Sequence, residues 1–199
     1  MTADDDTIQA ALDSAKDRYL LEREKRLRTD GLAQYSELKG EFADFDRDPY
    51  VEPGFAREPI KEDTDVVIVG GGFAGMLTAI DLTRAGIRNF RIIEKAGDFG
   101  GTWYWNRYPG ARFDSESWSY GYSFSEELLQ EWDWPEHFAA QPDTLRYLNH
   151  VADKFDLRKD ITFCSTVANA HFNEANCTWD IGLDDGKHFA ASFLFTALG

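Results

Sequence analysis

Three glycines and one acid carry the first chemical signal in this chain. Gly70-x-Gly72-x-x-Gly75 directly follows the apolar run Val66-Val67-Ile68-Val69, and Met76 to Ala85 reads as a helix that Gly86 ends. An unbroken β-branched run is what a strand buried on both faces requires. In such a strand–turn–helix each glycine has its own task. Gly70 permits the tight turn, Gly72 leaves room for a pyrophosphate against the backbone, and Gly75 lets helix and strand approach closely. The diphosphate would rest on the N–H groups at the helix start, beside Phe73 and Ala74, at the positive end of the helix dipole. A second apolar run, Phe90-Arg91-Ile92-Ile93, ends in Glu94 and Lys95. Glu94 stands 24 residues after Gly70. That is near the spacing of about 20 expected for an acid that accepts hydrogen bonds from ribose hydroxyls. Pattern and context predict a dinucleotide site; the plainer alternative is a turn whose glycines serve packing alone.

Other elements must hold these residues in place. Ile8, Leu12, Ala15, Tyr19 and Leu20 recur at helical spacing, so Thr7 to Arg28 reads as a helix, with Glu22 to Arg26 as a solvated face. Phe42 to Pro59 mixes Asp, Pro and aromatics without a period and reads as an extended segment. Residues 1–62 are thus expected to form a helical and extended front piece, and residues 63–199 the nucleotide fold. After Glu94, residues 100–114 form a long aromatic loop, and long loops inside compact domains are usually functional. Ser123 with Glu126 resembles a capping box opening a short helix through Gln130. Pro142 suits the first position of a helix reaching Phe155, with Leu145, Leu148, Val151 and Ala152 on one face. Ile161–Cys164, Val167–Phe172, Thr178–Leu183 and Phe189–Thr196 read as strands. Asp184-Asp185-Gly186 offers a hairpin turn, giving a three-stranded meander that returns to the main sheet. The fold class is α/β.

Bulk properties exclude several functions. A formal net charge of −15 over 199 residues argues against nucleic acid and anionic membrane surfaces, which demand basic patches. Asp4, Asp5 and Asp6 replace the basic region of a secretory signal, and the longest uncharged stretch, Val66 to Ile80, is too short to span a bilayer. Cys164 and Cys177 lack metal or redox spacing and suit a reduced, cytoplasmic protein, with a mutual disulfide left open. The four histidines are scattered, so no metal site is expected.

The aromatic loop narrows the choice among nucleotide folds. Gly101-Thr102-Trp103-Tyr104-Trp105-Asn106-Arg107-Tyr108-Pro109-Gly110-Ala111-Arg112 and Asp114-Ser115-Glu116-Ser117, taken with the glycine motif and Glu94, closely resemble the type I Baeyer–Villiger monooxygenases. The resemblance covers about Asp65 to Gly199, and the front piece with Tyr19, Glu22, Lys25 to Arg28 and Asp30-Gly31 resembles that of a long-form subset. It implies a Rossmann-like two-dinucleotide-binding flavoprotein fold, here in part, with a parallel sheet and β-meander. It also implies FAD and NADPH as cofactors, and O2-dependent conversion of ketones to esters or lactones through a C4a-peroxyflavin.

By that resemblance, Gly70, Gly72 and Gly75 hold the FAD diphosphate and Glu94 the adenosine ribose. Thr102 to Trp105 pass along the flavin, and Tyr120 and Val167 contact FAD, the latter through its backbone. Arg112, Phe113 and Asp114 lie between flavin and nicotinamide, and Asp114 is the active-site carboxylate that pairs with an arginine. Arg107 reads equally as a structural donor, and Trp132 and Trp134 as core or a subunit surface. The second nucleotide motif, that arginine and the rest of the FAD domain are not in these 199 residues. The chain alone is therefore expected to be inactive, needing a second polypeptide or the remainder of a longer chain. Two rival readings are an N- or S-oxidising flavin monooxygenase and a non-catalytic interaction subunit.

Overall fold

The computed structural model describes residues 3–36, 38–55 and 64–199. Residues 56–59 of the expected extended segment, and the expected boundary at 62/63, lie outside them. The chain divides into two units, Met1–Arg47 and Asp48–Gly199, so the segment from Asp48 groups with the nucleotide fold.

In the first unit, α1 (Ala3–Arg26) forms where the helical periodicity predicts it, beginning a turn earlier. Ile8, Leu12, Tyr19 and Leu20 are all more than half exposed, and Lys25 pairs with Glu22 along the surface at 2.7 Å. The expected extended stretch is corrected over Gly40–Asp46, which winds into a 3-10 helix. Its Gly-Glu-Phe-Ala-Asp-Phe-Asp sequence has no strand alternation to resist local i→i+3 bonding.

The second unit is built on one sheet of β1 (Thr64–Val69), β2 (Phe90–Ile93), β3 (Ile161–Thr162), β4 (Val167–Asn173), β5 (Thr178–Leu183) and β6 (His188–Thr196). Its order is β3-β2-β1-β6-β5-β4. β1 pairs in parallel with both β2 and β6, and β2 with β3; β4, β5 and β6 pair antiparallel. The expected meander is present, and its last strand is itself the return, since β6 hydrogen-bonds to both β5 and β1.

Helices α2 (Phe73–Arg84), α3 (Thr102–Trp105), α4 (Ser117–Tyr120), α5 (Glu126–Glu131) and α6 (Gln141–Lys154) complete the unit. α6 buries Thr144, Tyr147, Leu148, Val151 and Ala152, a stripe at helical spacing. The cap of α5 is Ser125, whose hydroxyl accepts from the Leu128 N–H at 3.2 Å, which corrects the expected cap at Ser123. Strand alternation splits the core. Val66, Ile68 and Ile92 pack with α2 and α6, whereas Val67 and Ile93 pack on the other face with Ile181, Leu183, Phe189 and Ala191. No disulfide joins Cys164 and Cys177. Among the described residues no helix is long and apolar enough to cross a membrane.

Candidate functional site

A cleft of about 730 Å³ opens at the carboxyl ends of the parallel strands, where open α/β sheets bind ligands. Val69 and Gly70 enter it from β1, Ile93 to Lys95 from β2, and Thr196 to Gly199 from the end of β6. Its floor is built from close backbone contacts. A Cβ on Gly75 would fall 1.8 Å from the Gly70 carbonyl oxygen, so only glycine lets α2 start this near the turn. Gly72 and Gly101 face each other across the cleft; Gly101, at φ +52°, would press a Cβ to 2.9 Å from the Gly72 Cα. The Gly100 N–H donates to the Gly71 carbonyl at 3.1 Å and ties the two loops together.

α2 has no side-chain cap at Gly72 and no acidic residue in its first turn. The N–H groups of that turn have no intrahelical acceptors, and they carry the positive end of the helix dipole. Tyr122 anchors the helix start by donating its hydroxyl to the Phe73 carbonyl at 2.6 Å, and its own N–H donates to the Tyr147 hydroxyl at 2.7 Å. Burial pushes the Tyr122 hydroxyl well above the usual tyrosine range and the Tyr147 hydroxyl up to about 12, so both stay protonated.

Glu94 is 5% exposed. Its Oε2 accepts from the Gly71 N–H at 2.5 Å and its Oε1 from the Ala96 N–H at 2.7 Å. The carboxylate thereby clamps the glycine turn to the end of β2, and each oxygen keeps a second lone pair for a ligand hydroxyl. Thr102, Trp103, Trp105 and Asn106 also line the cleft, the two tryptophans giving it aromatic faces. Trp103 donates its indole N–H to the Tyr120 hydroxyl at 3.1 Å, and Phe113 stacks behind Tyr120 at 4.2 Å.

Of the sequence-predicted residues, Gly70, Gly72, Phe73, Ala74, Glu94, Lys95, Gly101, Thr102, Trp103, Trp105, Tyr120 and Val167 come together on this lining. The lining does not include Gly75, Tyr104, Arg112, Phe113 or Asp114. Gly75 lies beneath the turn and Phe113 in the aromatic layer behind Tyr120. Tyr104 turns away because successive residues of a helical turn point about 100° apart. Arg112 bonds Glu136 at 2.8 Å and the Phe138 carbonyl at 3.0 Å, and Asp114 is exposed. Ser165 and Thr166 also line the cleft, unforeseen. Their signal was position, a few residues after the short strand that pairs with the end of β2.

Residues 68–127 match the NAD(P)-binding Rossmann-like domain. Over 190 residues, 95% of its length, the chain is 37% identical to a Baeyer-Villiger monooxygenase of Streptomyces coelicolor, of which it spans 31%. Over 188 residues, 92% of its length, it is 41% identical to FAD-binding monooxygenase hmp7 of Hypomyces subiculosus, spanning 30% of that protein. The structure of oxidized steroid monooxygenase bound to NADP superimposes with a TM-score of 0.67 at 48% identity, over 69% of this chain and 26% of that one. The chain therefore spans about a third or less of the length of the relatives it matches.

Proposed function

We propose that this chain, which belongs with the Baeyer-Villiger monooxygenases over the share of their length that it spans, forms the FAD-binding segment of an NADPH- and O2-dependent enzyme converting ketones to esters or lactones. The observation that carries the reading is the cleft floor. Gly72 and Gly101 meet backbone to backbone, a contact that a side chain on Gly101 would force apart, beside the free N–H groups of α2 and the clamped carboxylate of Glu94. That donor set fits a dinucleotide: N–H groups for the diphosphate, a carboxylate for ribose hydroxyls, and aromatic faces for a flat ring system.

In this reading the Phe73 and Ala74 N–H groups hold the diphosphate, with Gly70 and Gly75 bringing turn and helix together. Glu94 orients the ribose, with Lys95 beside it. Thr102, Trp103, Trp105 and Tyr120 wall off water on the flavin side, and Val167 contacts the cofactor through its backbone. When bound, FAD would supply the redox chemistry, with NADPH as the reductant and O2 as the source of the inserted oxygen. Arg112 and Asp114 stand outside the cleft lining, and in this reading they face the parts that bring NADPH. We assign Asp114 the task of fixing an arginine contributed from beyond this chain, as a charge-assisted pair would. Those parts come from the rest of a longer chain or from a second polypeptide.

The test is an absorbance spectrum and intact mass of the purified protein, followed by titration with FAD. Bound oxidised flavin is expected, together with ketone-dependent NADPH consumption once the rest of the protein is supplied. A protein that takes up no flavin in either form would overturn the reading.

A further inference from the structure

Tyr104, which turns away from the cleft, meets a segment that the nucleotide motif does not include. Asp48 Oδ2 accepts both from the Tyr104 hydroxyl at 2.9 Å and from the Gly97 N–H at 2.9 Å, while its Oδ1 accepts from the Tyr50 N–H at 2.8 Å. One carboxylate thus joins three points on two stretches of chain. Tyr50 meets Tyr104 edge to face at 5.7 Å, and the Arg107 guanidinium lies 3.7 Å above the Tyr50 ring and 4.8 Å above the Tyr104 ring. The same arginine donates through Nε to the Tyr104 carbonyl at 2.8 Å. Val51 packs so near Gly97 that a Cβ there would come within 2.9 Å of its Cγ2. Burial, reinforced by the Asp48 carboxylate, raises the Tyr104 hydroxyl far above the ordinary tyrosine range, so it remains a donor.

This lock grips the outer side of the loop whose inner side is the cleft wall. Trp103 and Trp105 flank Tyr104 in sequence, and Gly101 touches Gly72 across the floor. We propose that Asp48 is a positioning residue for the cofactor cleft, holding the Gly97–Arg107 loop from behind so that Gly101, Trp103 and Trp105 are set before the ligand arrives. Preorganised walls bind tighter because the loop is not ordered at the ligand's expense. As a claim about the cofactor, the inference rests on the FAD reading above; as a claim about the loop, it does not.

The experiment compares Asp48→Ala, Asp48→Asn and Tyr104→Phe with the wild-type protein by amide hydrogen exchange without ligand and by FAD titration. Expected for Asp48→Ala is exchange at Gly97 to Arg107 faster by about tenfold, with β5 and β6 unchanged, and a Kd for FAD higher by about tenfold. Asp48→Asn keeps an acceptor oxygen for Gly97 and Tyr104 but turns an NH2 toward the Tyr50 N–H, so it should recover part of both effects. Tyr104→Phe, which removes only one hydroxyl, should fall between. A lowered melting temperature with loop exchange and FAD affinity unchanged would assign Asp48 a merely structural role and overturn the proposal. If the wild-type protein binds no FAD, the functional reading falls, and loop exchange alone then decides: acceleration confined to Gly97–Arg107 sustains the lock, and unchanged exchange removes it.

Discussion

β1 and β6 lie side by side in register, yet the same face of the sheet is dry on one and wet on the other. Val66 and Ile68 are 3% and 0% exposed, whereas their direct partners Phe193 and Phe195 are 62% and 43% exposed. The side chains are equally apolar; the cover differs. α2 and α6 lie over β1 and β2, and among the described residues nothing comparable lies over β6. On this face the burial therefore lies over β1 and β2. The cleft straddles the border, drawing Val69 and Ile93 from the ends of β1 and β2 and Leu194 and Ala197 from β6 and the residue after it.

The sharpest way to break that contrast is at the crossing of turn and helix. Gly75→Val places side-chain atoms where a Cβ already falls 1.8 Å from the Gly70 oxygen, and should cost more than about 3 kcal/mol. A thermal melt matching wild type would remove the claim that this contact sets the helix. Ile92→Ala, at a fully buried site in the covered half, should cost about 2–5 kcal/mol in urea unfolding. Glu94→Gln keeps one acceptor but turns an NH2 toward the Gly71 or Ala96 N–H, which should cost about 1–3 kcal/mol, read the same way. Alkali should act next. Tyr104, Tyr122 and Tyr147 all hold raised pKa values, so unfolded tyrosines ionise first as pH passes their ordinary value near 10.0. Stability should be intact below that point and fall as pH rises toward about 12, with Tyr147→Phe flattening the slope of melting temperature against pH. Smallest of all, Phe193→Ala should stay within about 0.5 kcal/mol of wild type. If it costs as much as Ile92→Ala, β6 is covered after all and the comparison fails.

Legibility did not follow the cover. β2 in the covered half and β5 in the meander both form at the predicted residues, because turn residues on either side leave few registers that bury their apolar side chains. α2 begins three residues before the predicted Met76, since glycine at 75 is tolerated when it serves a close contact. Legibility faded where short-range geometry decides. Ser123 has Glu126 at capping-box distance and Ser125 has Leu128 there, yet the path of the chain into α5 selects the second. A four-residue helical turn at Thr102–Trp105 divides the aromatic run, sending Trp103 and Trp105 to the cleft and Tyr104 to Asp48. Asp48 itself was unreadable as a partner, because its hydrogen bonds span 49 and 56 residues and no local pattern encodes them.

The position of β6 has a consequence for how the molecule comes to be. Val66 pairs with Phe193, a separation of 127 residues, so the central strand gains its second neighbour only long after it has itself been made. Closing so long a loop is entropically costly before any contact rewards it, and nonlocal pairing of this kind slows folding. At about 5–20 residues per second, a ribosome would leave one edge of β1 open for some 6–25 s. During that interval Thr64 to Val69 is an apolar strand with unpaired N–H and C=O groups along one edge, open to pairing with another chain.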